Sequence, residues 1–381
     1  MKRVLFYCQH VLGMGHLVRS LELVRALRGF DVTFLNGGAP VEGFPIPEGV
    51  RVVNLPAMAS DCEFRDVHAI SGAGIEAVKE LRSNRLLAEL ERFEPHAIIL
   101  ELFPFGRRKF AFEILPLLDA NRRRPRPASV ISSVRDILVS KRDQQRYEAQ
   151  TSDLIERYFD LILVHADPQF QRLEETFPAA AAIRCPIRYT GFVARRPKKL
   201  QSHAGVREVV ASIGGGRVGF ELLEATLNAA PLLPADVQVQ LFTGPFLPED
   251  EFSSLCELAA DKPNVQVDRF TSCFVDRLAL ASVSVSMAGY NTCMDILSTG
   301  IPALVYPFRG NGNLEQSMRA SRLEKRGGAG VLATADLEPA VLANRIRGLL
   351  DAPGVRAAAG GGFRMDGAQE SARLVREMVS E

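Results

Sequence analysis

The residue in this chain with the clearest chemical prospects is His16. It closes the run Gly13-Met14-Gly15-His16, just after a short apolar segment, and Arg19 follows three positions on. An imidazole at the start of a helix is discouraged from protonating by the helix dipole, so it persists as a neutral base. Arg19 lies one turn further on the same face, where a guanidinium clamps an anion. His10, just upstream, has less to recommend it. A second constellation is Gly214-Gly215-Gly216-Arg217. Glycines at a strand end let the backbone approach a ligand closely, and Arg217 adds a fixed positive charge suited to phosphate. The third is Ser286, Gly289, Asn291, Thr292 and Asp295, with Glu315-Gln316 beyond it. Here a glycine turn leads into a helix whose first-turn amides favour a phosphate, with Asn291 and Thr292 adding side-chain donors. Asp295, a turn later, would repel phosphate but suits a ribose diol, and Glu315 with Gln316 suits the hydroxyls of a sugar.

Other chemistries are disfavoured. The glycine spacing around His16 is not G-x-G-x-x-G, and no acid follows the second strand in the way a dinucleotide site requires. Cysteines at 8, 62, 185, 256, 273 and 293 form no Cys-x-x-Cys pair, and no His spacing completes a metal site, so no metal and no cofactor are expected. Reduced thiols fit a cytoplasmic protein. The sum of 46 Lys+Arg against 45 Asp+Glu carries no global signal for nucleic acid. Local clusters such as Arg107-Arg108-Lys109 and Arg122-Arg123-Arg124 read as solvated surface or as a peripheral contact with anionic lipid or a phosphorylated acceptor. No apolar run is long enough to span a bilayer, and the chain opens on a strand with no leader pattern.

The elements that must position these groups alternate. Apolar strands are expected at 4–7, 32–35, 52–55, 97–100, 129–132 and 161–165. Helices are expected from about 15 to 29, over 75–93 and over 144–159. The loop after Leu100 lies at the carboxyl end of a strand, where open α/β sheets hold ligands. Periodicity lapses at Arg195-Arg196-Pro197-Lys198-Lys199, which marks an interdomain linker. The pattern then restarts with strands at 209–213, 238–243, 264–268, 283–286 and 303–307, and helices at about 220–230, 276–281, 291–299, from 315, over 339–351 and over 370–379. At 381 residues the chain is too long for one ordinary core. The expectation is an α/β protein: a domain over 1–192, a linker over 193–206 and a second domain over 207–381, whose last helix can pack back on the first domain.

These motifs carry a resemblance. Gly13-Met14-Gly15-His16 with Arg19, the turn Gly214-Gly215-Gly216-Arg217, the pattern from Ser286 to Asp295, and Glu315-Gln316 resemble GT-B glycosyltransferases of the family 28, MurG-like branch. That resemblance implies two Rossmann-like domains with parallel sheets facing a central cleft. It implies a nucleoside diphosphate sugar, of the UDP-sugar class, as donor to the C-terminal half, and a small-molecule or lipid-linked acceptor. It further implies that Phe270 and Thr271 hold the base by backbone contacts, that His16 deprotonates the acceptor hydroxyl, and that no metal is needed. Gln9-His10-Val11-Leu12 stands where the peptidoglycan enzymes have a doubled G-G-x-G-G, so the acceptor stays open. The form G-x-G-H-x-x-R is also similar to PseG-type UDP-sugar hydrolases, where water replaces the acceptor. A non-catalytic nucleotide-sugar-binding subunit is the third reading.

Overall fold

The computed structural model describes residues 1–10, 14–39, 45–60, 67–69, 74–198, 207–310, 314–352 and 362–380. The chain divides into two compact units. The first comprises Met1–Val193 together with Asp366–Glu381, and the second Ala194–Met365. The chain therefore leaves the first unit once and returns to it at the end.

The first unit is built on a parallel sheet of seven strands. Its strands are β1 (Arg3–Cys8), β2 (Asp31–Asn36), β3 (Arg51–Asn54), β6 (Ala97–Glu101), β7 (Ser129–Arg135), β8 (Leu161–His165) and β9 (Ile187–Tyr189). A separate hairpin is made by β4 (Met58–Ser60) and β5 (Val67–Ala69). The order across the sheet is β3-β2-β1-β6-β7-β8-β9. Strands such as Ala97-Ile98-Ile99-Leu100-Glu101 are buried along their whole length, as a sheet covered on both faces demands. The covering helices are α1 (Gly15–Ala26), α2 (Ile75–Phe93), α3 (Ala111–Arg122) and α4 (Gln144–Tyr158). On one face, Leu17, Leu21 and Val24 of α1 pack with Ala372, Val375 and Val379 of the last helix, Gly367–Ser380.

The second unit carries a parallel sheet of six strands. These are β10 (Arg207–Ser212), β11 (Val237–Phe242), β12 (Val265–Asp268), β13 (Val283–Met287), β14 (Ala303–Tyr306) and β15 (Gly330–Val331), in the order β12-β11-β10-β13-β14-β15. Its helices are α5 (Phe220–Ala229), α6 (Glu249–Ala259), α7 (Phe274–Leu280), α8 (Tyr290–Thr299), α9 (Glu315–Lys325) and α10 (Pro339–Leu350); the terminal helix is α11. The apolar core gathers β10, β11 and β13 under α5 and α10.

Both sheets share one topology. The chain runs outward from a central strand to one edge, then crosses back and continues the other way. The reversal falls between β1 and β6 in the first unit and between β10 and β13 in the second. Connections on the two sides diverge there and leave a crevice at the carboxyl ends of the strands. His16, Gly214 and Gly289 all lie in segments that follow one of these four strands.

One buried ion pair stitches the first unit together. Arg82 is fully buried and forks onto Glu113, donating through Nε and Nη2 at 2.7 Å each. It also donates to Gln9 Oε1 and to the carbonyls of Gly37 and Pro56, while the Tyr7 hydroxyl donates to Glu113 at 2.5 Å. A buried cation is tolerable when its donors are met in this way. Gln9, in the glycine-poor part of the first loop, is therefore structural.

Candidate functional site

In the first unit the site grows from the β1–β6 reversal. Gly15 opens α1, and Met14 takes the N-cap position without a side-chain cap. His16, in the first turn, sets its Nδ1 2.6 Å from Glu101 Oε1, at the last residue of β6. A carboxylate only accepts, so Nδ1 carries the proton and donates it, leaving the Nε2 lone pair as the basic position. Arg19 is buried and donates to the same Glu101 oxygen. Burial pushes the imidazole down to about 3, aided by the charges of Arg107 and Arg19 and opposed by Glu101. Burial alone would raise the Glu101 carboxyl, but His16, Arg19 and Arg107 hold it down at about 2. The imidazole keeps 19 % of its side-chain surface open. The outcome is a neutral, oriented base beside an ionised carboxylate.

Sequence reasoning placed the loop after Leu100 near a ligand but did not single out Glu101. The available signal was an acid ending an otherwise apolar strand. His165 ends β8 nearby; its ring is locked between Ser133 Oγ at 2.8 Å and Thr190 Oγ1 at 3.0 Å, and burial lowers it to about 3. His10 is likewise occupied, with Nε2 3.0 Å from Asn36 Oδ1. Gly13 lies outside the described residues.

In the second unit the glycine turn after β10 divides its labour. Gly216 has φ +90°, and a Cβ there would stand 2.6 Å from the Thr243 carbonyl oxygen and 2.7 Å from Leu247 N. That glycine is demanded by packing against the loop after β11, whose Gly244 is equally confined. Gly214 has φ +68° with open space where a Cβ would be. Its backbone is the part of the turn a ligand can approach. Gly215 lies between them, its carbonyl taken by Phe246 N at 3.0 Å. Arg217 is exposed, its guanidinium 5.3 Å from the Phe246 ring centre.

The crevice partner of that turn is the β13–α8 junction. Gly289 is the N-cap of α8, and open space surrounds its Cβ position too. Asn291 and Thr292 fall in the first turn, as expected. Ser286 is fully buried in β13, its hydroxyl 2.9 Å from that of Ser284, so it braces the strand rather than facing the crevice. Phe270 and Thr271 follow β12; Thr271 Oγ1 accepts from Cys273 N at 3.2 Å.

Asp295 corrects an expectation. It is only 1 % exposed, and its carboxylate accepts from Arg195 Nε at 3.2 Å and from a second guanidinium nitrogen. Burial raises its pKa and Arg195 opposes the rise. A carboxylate sunk this deep needs a countercharge, which the stretch read as an aperiodic linker supplies. Lys198 N donates to Asp276 in the same stretch. Ribose could reach Asp295 only if that ion pair opened. Glu315 is similarly engaged: Arg319, fully buried, donates to it at 2.8 Å and to the Ala288 carbonyl at 3.0 Å. Gln316 Oε1 accepts from Phe308 N at 3.0 Å, which leaves its amide nitrogen as the ligand-capable end. Arg195 and Arg319 carried no sequence signal, since each partner is distant in the chain or hidden in a helix face.

Residues 210–365 match the glycosyltransferase family 28 C-terminal domain. The chain is 24 % identical, over 89 % of its own length and 87 % of the relative's, to a UDP-N-acetylglucosamine–N-acetylmuramyl-(pentapeptide) pyrophosphoryl-undecaprenol N-acetylglucosamine transferase of Solidesulfovibrio magneticus. An enzyme of the same description from Rhizobium johnstonii is 26 % identical over 51 % of this chain and 52 % of its own. The chain thus spans about half the length of several curated relatives it matches. Among solved structures, Acinetobacter baumannii MurG superposes with a TM-score of 0.60 at 16 % identity, covering 99 % of this chain and 100 % of that one. The fold is that of the GT-B glycosyltransferases, with two Rossmann-like α/β units, as the sequence motifs imply.

Proposed function

We propose that this chain, whose second unit carries the family 28 C-terminal domain, is a glycosyltransferase that moves a sugar from a nucleoside diphosphate sugar to an acceptor hydroxyl. UDP-sugars are the donor class we favour, and the reaction needs no metal. The observation that carries this reading is the His16–Glu101 pair: a neutral imidazole, fixed in one tautomer, with its second nitrogen available at a strand-order reversal.

In this reading the diphosphate lies against the open backbone of Gly214 and Gly289, where no side chain intervenes. The first-turn amides of α8 and the charge of Arg217 stabilise the negative charge that grows as the nucleotide departs. Phe270 and Thr271 border the base, and Gln316, positioned by Phe308, meets the sugar. Nε2 of His16 takes the proton of the acceptor hydroxyl as its oxygen attacks the anomeric carbon. Glu101 stabilises the imidazolium that forms, a positioning and electrostatic role. The acceptor is a small molecule or a lipid-linked one, and a cytoplasmic location at or near the membrane surface accords with it. Among the described residues no helix is long and apolar enough to cross a membrane.

The deciding experiment incubates the chain with UDP-sugars, with and without candidate acceptors and with EDTA, and follows products by mass spectrometry. Acceptor-dependent glycoside with EDTA present is the expected outcome. Free sugar released with water alone would make the chain a hydrolase, and UDP binding without turnover a non-catalytic subunit.

A further inference from the structure

Two acids of the second unit fasten the stretch of chain that enters it. The unit begins at Ala194, and the next residue, Arg195, donates Nε to Asp295 Oδ1 at 3.2 Å and Nη2 to Oδ2. Three positions on, Lys198 N donates to Asp276 Oδ1 at 2.8 Å. Asp295 belongs to α8 and Asp276 to α7, so one short segment is tied to two helices. The Asp295 side chain is 2 % exposed and that of Arg195 17 %. A two-pronged guanidinium on a carboxylate this deep fills the acid's directions toward solvent and supplies its countercharge.

A pentose diol is a poor substitute for that guanidinium. It is neutral, so taking Arg195's place would leave a buried carboxylate without its cation, a loss that hydrogen bonds from two hydroxyls do not offset. The other described acids of the helices that follow β12, β13 and β14 already accept from the protein. Asp276 takes the Lys198 amide, Glu315 takes Arg319, and Glu324 takes Val331 N at 3.1 Å. Asp268, the last residue of β12, accepts from the side-chain amides of Gln240 and Gln266 at 2.9 Å each. A site rejects a ligand lacking a hydroxyl strongly only where a polar group built to receive that hydroxyl is left unpaired.

We propose that Asp295, strapped by Arg195, is withdrawn from nucleotide recognition, and that the donor site accepts 2′-deoxynucleoside diphosphates as well as their ribose counterparts. This rests on the transferase reading and widens its donor class to sugars carried on deoxyribonucleotides. Affinity then comes from the open backbone at Gly214 and Gly289 and from the first-turn amides of α8, which address the diphosphate rather than the pentose.

The test is isothermal titration of the full chain with UDP and dUDP, which differ only in the 2′-hydroxyl, and with GDP and dGDP as a second matched pair. Within the pair that binds, the two dissociation constants should agree within about threefold. A ribose preference of about tenfold or more, the mark of a hydroxyl bonded to a carboxylate, would overturn the proposal. Arg195→Gln should shift both members of the pair by the same factor. If it tightened the ribonucleotide alone by about fivefold or more, Asp295 would be a ribose ligand merely held in check, and the proposal would fall. The double variant Arg195→Met with Asp295→Leu exchanges the ion pair for apolar side chains. Its ribonucleotide affinity should match the parent's within about twofold, and a loss of about tenfold in a cooperatively folded variant would also overturn the proposal. Should the double variant not fold, the comparison on the parent chain still decides. Binding of neither pair would remove the transferase reading and the proposal together, whereas binding with a ribose preference sinks the proposal alone.

Discussion

His16 and Glu101 share one hydrogen bond and two opposing demands. Burial works to keep both neutral, yet the carboxylate is held ionised by cations while the imidazole is kept from protonating. Removing the base should therefore touch turnover more than donor affinity. His16→Ala is expected to lower kcat by about a hundredfold or more with little change in UDP binding, measured by steady-state assay and titration. The same burial leaves a mark on stability. His16 and His165 are both held at about 3, below the ordinary 6.5, so the unfolded chain takes up protons that the folded chain refuses. Their contribution is whole above pH 6.5 and drains away as pH falls toward 3. His16→Gln should flatten that dependence by about one proton, read from hydrogen exchange of β1 and β6 across pH 3–7.

At the level of elements, the two open glycines and the two confined ones separate binding from folding. Gly214→Ala meets no atom, so its cost is the left-handed φ alone, about 1 kcal/mol, while its methyl intrudes where a diphosphate would lie. Gly216→Ala meets backbone and should cost about 2 kcal/mol or more. Denaturant unfolding and UDP titration should rank the pair in opposite orders. The sequence displayed the triplet but not this division, because the neighbour that confines Gly216 arrives from the loop after β11. Elsewhere, legibility followed periodicity. Strands β1, β6 and β8 were readable as apolar runs, since both their faces are covered, and β13 by the alternation of Val283-Ser284-Val285-Ser286. Helix α3 was not, because Pro116 stands inside it; the packing of Ile114, Leu117 and Leu118 sustains the helix against that breaker. Helix α6, with only Leu255 buried, offers too little apolar face to declare itself. In the site, His16 stood out by its glycines. Glu101 did not, because His16 and Arg19 reach it only where the parallel sheet sets β6 beside β1.

Over the whole molecule, α11 belongs to the first unit although more than 170 residues of the second lie between it and β9. Val375 is fully buried against α1, β1 and their neighbours. Val375→Ala should cost the first unit about 2 kcal/mol and leave the second untouched, which hydrogen exchange resolved by segment would reveal. The order of synthesis then acquires a meaning. The second unit is complete once residue 365 has been made, whereas the sheet that starts the chain must wait, with the apolar face of α1 uncovered, for the segment from 366 onward. A transplanted second unit, by the same reasoning, has two seams to respect, at 193 and at 366.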